Sequence, residues 1–103
     1  MGLVTKQNKF AGMVAMLILY AQSQGYEITF GDAYRGERVP YGHAKSLHRK
    51  RLAVDLNLFK DGVYLPDTES HGVLGLFWES IGGAWGGRFK DGNHYSLEHE
   101  GIK

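Results

Sequence analysis

The chain predicts an α+β fold, a small antiparallel sheet with helices packed on one side, and three observations carry that reading. From Leu52 to Leu58, leucine or valine occupies every second position, the period of a strand with one buried face. Two other stretches, around Phe10–Ala21 and Val73–Ile81, repeat apolar residues at helical spacing. Between them Asp61-Gly62 separates two apolar runs, a strong signal for a tight hairpin and so for antiparallel pairing.

At 103 residues there is room for one modest core, so residues 1–103 read as a single domain. Hydrophobic residues at 43% and charged residues at 22% are ordinary globular values and point away from disorder. A net charge of +1 gives no bulk electrostatic reason to expect a nucleic-acid or membrane partner. Cysteine is absent, which excludes disulfides and thiolate zinc sites; a metal here must be held by histidine and carboxylate.

Lys6 and Lys9 followed by FAGMVAMLILYA resemble the charged and apolar parts of a secretion signal. A core helix explains the stretch better. Phe10, Val14, Leu17, Ile18 and Ala21 share a face, Thr5 is placed to cap the start, and Gly25 stands where a helix would end. Tyr26 to Phe30 then alternates as a strand, with Tyr26, Ile28 and Phe30 on one face. GDAYRGERVPYGHAKS has no period and reads as a long surface loop, the kind that often carries function. After the Asp55 strand and its hairpin to Val63–Leu65, a second helix is expected from about His71 to Ile81, burying Val73, Leu74, Phe77, Trp78 and Ile81. GGAWGGRFKDGN reads as another loop, and HYSLE as a last strand with His94, Ser96 and Glu98 opposite Tyr95 and Leu97. The tetrapeptide FKDG, at Phe59 and again at Phe89, is expected to make two similar turns. Trp78 and Trp85 are expected in the core or a cleft wall.

The chemistry concentrates around Ser46 to Phe59. Asp55 must point away from the buried face of its strand, and His48 arrives from the preceding loop. With His94 they would supply two imidazoles and one carboxylate, leaving a fourth tetrahedral position open, which is the pattern of a catalytic zinc site. Asp91 lies three residues before His94 in a glycine-flanked turn. His43, His71 and His99 are not expected to be ligands.

Ser46-x-His48, six intervening residues to Asp55, and then Asp91-x-x-His94 together resemble the signature of the M15 (LAS-type) zinc metallopeptidases. That family includes D-Ala-D-Ala carboxypeptidases and the L-alanyl-D-glutamate peptidases used as phage endolysins, and the order and small size look most like the endolysin branch. The resemblance implies a hedgehog/DD-peptidase-like fold with zinc on the open sheet face. It makes His48, Asp55 and His94 the metal ligands and Asp91 the general base. Tyr34-Arg35 matches the place of the family's substrate-side arginine, although the Gly36-Glu37-Arg38 that follows departs from the pattern and leaves Arg38 as the alternative. Ser46 is a candidate substrate hydrogen-bonder beside its ordinary role as a turn residue.

The function so implied is zinc-dependent hydrolysis of a peptidoglycan stem-peptide bond next to a D-amino acid, by a monomer without nucleic-acid or membrane partners. The same resemblance implies a cytoplasmic protein released to the bacterial cell wall by a separate route. Two other readings compete. HAKSLHRKR sets three basic residues in a row beside histidines and could bind phosphate as part of a nucleic-acid-binding or nuclease-like domain. A catalytically silent wall-binding domain would keep the same motif.

Overall fold

The protein is described by a computed structural model that covers residues 2–31, 47 and 50–102. The loop read between Gly31 and Ser46, including Arg35, Arg38 and Ser46, lies outside the described residues apart from its first glycine, and so does His48.

Helix α1 runs from Leu3 to Ser23. It begins earlier than its sequence signals imply: Gly2 is the N-cap, with no side-chain cap, and the Lys6 N–H already bonds to the Gly2 carbonyl at 3.0 Å. Thr5 is therefore inside the helix rather than capping it, since nothing in Leu3–Thr5 forbids helical backbone. The C-terminus behaves as read. Gly25 takes φ 88°, its N–H bonds to Gln22 O and the Tyr26 N–H to Ala21 O, both at 3.0 Å, which is the paired bonding of a Schellman cap. Phe10, Met13, Leu17 and Ala21 form the buried stripe.

Among the described residues, five strands make one antiparallel open sheet. Strands β1 (Glu27–Phe30) and β2 (Ala53–Lys60) pair, β3 (Val63–Tyr64) returns along the end of β2, and β5 (His94–Ser96) pairs with the start of β2 on one side and β4 (Ala84–Trp85) on the other. Leu52, Val54, Leu56 and Leu58 are all buried, as their alternation requires. The β2–β3 turn has Asp61 at φ 51° and Gly62 at φ 78°, two successive left-handed residues as in a type I′ hairpin.

Helix α2 (Gly72–Ser80) follows a 3₁₀ turn over Glu69–His71. It packs on α1 through stacked rings of Tyr20 and Phe77, 4.2 Å between centroids, and an edge-on contact of Phe10 with Trp78. The fully buried Trp78 then reaches the sheet, where its Nε1–H is shared between Ser96 O at 2.9 Å and Ala84 O at 3.1 Å. One expected position differs. Val73 is exposed, because α2 turns Leu74, Gly75 and Trp78 inward. Gly75 sets that rotation: a Cβ there would fall 2.1 Å from the Trp85 indole, so the ring lies directly on helix backbone. Phe30 is exposed as well, lining an open hollow with Phe10, Ala11 and Val14 of α1.

GGAWGGRFKDGN is not a plain loop. It contains β4 and a 3₁₀ turn over Gly86–Phe89, and β4 explains why Ser96, read as facing outward with His94, is fully buried opposite Ala84. The two FKDG segments also differ. At the second, the left-handed residue is Lys90 at φ 62°, and Gly92 does not share the positive φ of Gly62. Both tryptophans are core residues. Among the described residues no helix is long and apolar enough to cross a membrane.

Candidate active site

Strand register brings the first two site residues together. Asp55 of β2 and His94 of β5 are direct antiparallel partners, so their side chains leave the same face of the sheet. The His94 Nδ1 and Asp55 Oδ1 stand 3.2 Å apart, with side chains only 17% and 13% exposed. The surrounding backbone is held on both sides of β2. Gly31 N–H bonds to Asp55 O at 2.7 Å, extending β1, and Leu56 N–H bonds to Asn93 O at 2.9 Å, extending β5. A Cβ at Gly31 would sit 3.2 Å from Asp55 O and 3.3 Å from its Cβ, so glycine permits this close approach.

Two donors bound at 2.0–2.1 Å to one tetrahedral zinc lie about 3.3–3.4 Å apart, so the 3.2 Å spacing suits shared coordination as well as a hydrogen bond. An imidazole and a carboxylate are also the donor types zinc accepts. Among the described residues no group of three or more histidine or acidic side chains is gathered closely enough to hold a metal, and His48, the third expected ligand, lies outside them.

Asp91 is exposed at the start of a hydrogen-bonded turn, in which the His94 N–H bonds to Asp91 O at 3.1 Å. The turn's backbone is otherwise bonded inward. Asp91 N–H donates to Gly86 O at 2.9 Å, Gly92 N–H to Thr68 Oγ1 at 3.1 Å, and Trp85 Nε1–H to Gly92 O at 2.8 Å. The turn thus rests on three separate supports. Close packing explains two glycines here: a Cβ at Gly86 would lie 2.3 Å from Asp91 O, and one at Gly92 would lie 2.6 Å from Thr68 Cα.

Of the residues picked out in the sequence, the structure joins Asp55 to His94 and sets Asp91 in the turn that delivers His94. Arg35, Arg38, Ser46 and His48 fall outside the described residues. Thr68 and Trp85 were not singled out for the site. The glycine inside Asp-Gly-Asn-His was a signal of close backbone approach, but no local pattern names the partner 24 residues away.

A model of the D-alanyl-D-alanine carboxypeptidase family of M15 peptidases matches residues 41–97, more than half of the chain. The chain belongs to this family. The matched segment of the M15 domain contains Ser46, His48, Asp55, Asp91 and His94, whereas both candidate arginines precede it. No curated protein matches the chain. Membership makes this M15 domain a peptidase of the D-alanyl-D-alanine carboxypeptidase type, and M15 peptidases are generally zinc-dependent.

Lining the core behind the site, His71 and Tyr95 form a buried pair, Nδ1 to hydroxyl at 2.7 Å. Tyr95 follows His94 directly and points to the opposite face, packing edge-on against Trp78. Burial holds the His71 imidazole below its usual pKa of 6.5, with the carboxylate of Asp67 opposing weakly, and burial pushes the Tyr95 phenol up. His71 is thereby a core group.

Proposed function

We propose that this M15 domain is a zinc-dependent peptidoglycan peptidase that hydrolyses a stem-peptide bond next to a D-amino acid, of the L-alanyl-D-glutamate endopeptidase or D,D-carboxypeptidase type, in the manner of a phage endolysin. The observation that carries this reading is the pairing of Asp55 with His94 at 3.2 Å on one sheet face, with Asp91 in the turn that leads into His94.

His48, Asp55 and His94 would hold the metal. Zinc, when bound, lowers the pKa of a coordinated water to about 7 and polarises a carbonyl oxygen. Asp91, exposed at the turn, takes the proton of the attacking water and passes it to the departing amine. Asp55 and His94, on a rigid ladder, keep their donors in place through the reaction. Arg35, or Arg38 in its place, pairs with a substrate carboxylate or the scissile carbonyl, and Ser46 hydrogen-bonds substrate. The bacterial wall is the site of action, reached from the cytoplasm by a separate release route.

The test is hydrolysis of defined stem peptides by zinc-loaded protein, with products read by mass spectrometry. Cleavage at an L-Ala-D-Glu or D-Ala-D-Ala bond is expected, and Asp91→Ala should keep its zinc while losing roughly 10²–10⁴-fold in rate. A zinc-loaded wild type that leaves every stem peptide intact would reduce the protein to a metal-holding binding domain.

A further inference from the structure

We propose that Thr68 is a positioning residue for catalysis: through the Gly92 N–H it fixes the turn that aims Asp91, while the sheet places Asp55 and His94. This rests on the reading of Asp91 as the general base.

The geometry separates two jobs within four residues. His94 is placed by β-ladder bonds: it is opposite Asp55, its neighbour Tyr95 is opposite Val54, and Asn93 O accepts from Leu56 N–H. Those bonds stop at Asn93. Asp91 lies beyond them, and its turn is held instead by Gly86 O on the Asp91 N–H, Thr68 Oγ1 on the Gly92 N–H and Trp85 Nε1 on the Gly92 carbonyl. Gly92 is buried and its own N–H and C=O are both taken by side chains, one from the segment before α2 and one from β4. The Asp91–Gly92 peptide plane is held at both ends, its carbonyl by the His94 N–H at 3.1 Å and its N–H by Thr68 Oγ1 at 3.1 Å, and the next plane is held by Trp85 at the Gly92 carbonyl, so neither rotates without breaking a hydrogen bond.

Thr68 is in turn a fixed support. It precedes the 3₁₀ turn at Glu69–His71, its carbonyl accepts from the His71 N–H at 3.1 Å, and the adjacent Asp67 carboxylate accepts from both the Ser70 N–H and its hydroxyl. Trp85 is embedded against Gly75 of α2. A base whose carboxylate must meet one water within hydrogen-bond reach depends on such anchoring, because a misplacement of about 1 Å can cost ~10²-fold in rate.

Thr68→Val keeps the shape and removes the acceptor; Thr68→Ser restores it; Thr68→Ala repeats the deletion with a smaller side chain should the valine unsettle the fold. Each variant is compared with wild type in four measurements: thermal unfolding, zinc affinity, kcat and KM on the cleaved stem peptide, and hydrogen exchange of the Gly92 amide. The expected result is a kcat lower by about tenfold or more in Thr68→Val and Thr68→Ala, with KM and zinc affinity within about threefold of wild type and faster Gly92 exchange. Thr68→Ser should recover both kcat and protection. Unchanged kcat in Thr68→Val and Thr68→Ala overturns the proposal, as does a zinc affinity that falls in step with kcat or a loss that serine fails to rescue. A wild type that cleaves no stem peptide while Gly92 protection still depends on Thr68 marks a different failure: it overturns the peptidase reading, and the catalytic role of Thr68 with it, although the hydrogen bond is real.

Discussion

His94 Nδ1 and Asp55 Oδ1 meet at 3.2 Å because their residues are opposite one another across β2 and β5, so the pair is a product of strand register. A one-residue slip would send one of the two side chains to the core face. His94→Ala therefore should remove metal binding without unfolding the sheet, whose ladder bonds are made by backbone. Purified wild type, equilibrated with zinc and exchanged into zinc-free buffer, is expected to retain about one zinc per chain. His94→Ala should weaken binding by more than the roughly 10–100-fold that loss of an outer-sphere partner costs, and an unaltered zinc content would exclude His94 as a ligand.

Gly86 and Gly12 should respond in opposite directions to the same substitution. A Cβ at Gly86 meets Asp91 O at 2.3 Å and His94 Cβ at 2.7 Å, so Gly86→Ala must push the Asp91 turn away and should cost about 1–3 kcal/mol. Gly12 lies inside α1, where an added methyl would have nothing within 4 Å, and Gly12→Ala should stabilise by roughly 0.5–1 kcal/mol. Urea midpoints of the two variants decide the matter.

The buried His71–Tyr95 pair makes stability depend on pH. Above its ordinary pKa of 6.5, His71 is neutral in both folded and unfolded chains and its contribution is fully present. Below that value the unfolded chain takes the proton first, because burial depresses the folded pKa, and stability is lost progressively until pH falls through the folded value. Denaturation followed from pH 7.5 downward should show this loss, with a shallower slope in His71→Gln. Tyr95→Phe leaves the buried imidazole without its hydroxyl partner and should cost about 1–3 kcal/mol at pH 7.5. Equal slopes in wild type and His71→Gln would assign the acid sensitivity elsewhere.

The repeated FKDG offers a comparison at one residue type. Lys60 ends β2 with its ammonium 4.9 Å from the Tyr26 ring, so Lys60→Gly should destabilise by roughly 0.5–1 kcal/mol. Lys90 has φ 62°, where a side chain is strained, so Lys90→Gly should be neutral or stabilising. Loss of stability in Lys90→Gly equal to that in Lys60→Gly would contradict the different backbones of the two turns.

What the sequence alone determined follows from short-range physics. Alternation from Leu52 to Leu58 fixed which face of β2 is buried and put Asp55 on the other. Gly25 ended α1 and Asp61-Gly62 turned the hairpin, because each needs only a locally accessible left-handed backbone. The motif spacing was likewise enough to reach the M15 family. Tertiary structure decided the rest. Which residue of FKDG turns left-handed at the second copy, why Val73 faces outward, why Ser96 is buried and why Thr68 supports the Asp91 turn all depend on partners distant along the chain. The indole of Trp85 shows the reason: it rests on Gly75, where a Cβ would intrude to 2.1 Å, and bonds to Gly92 O at 2.8 Å. Contacts of that kind are made by packing three elements together, and no local period in the chain encodes their meeting.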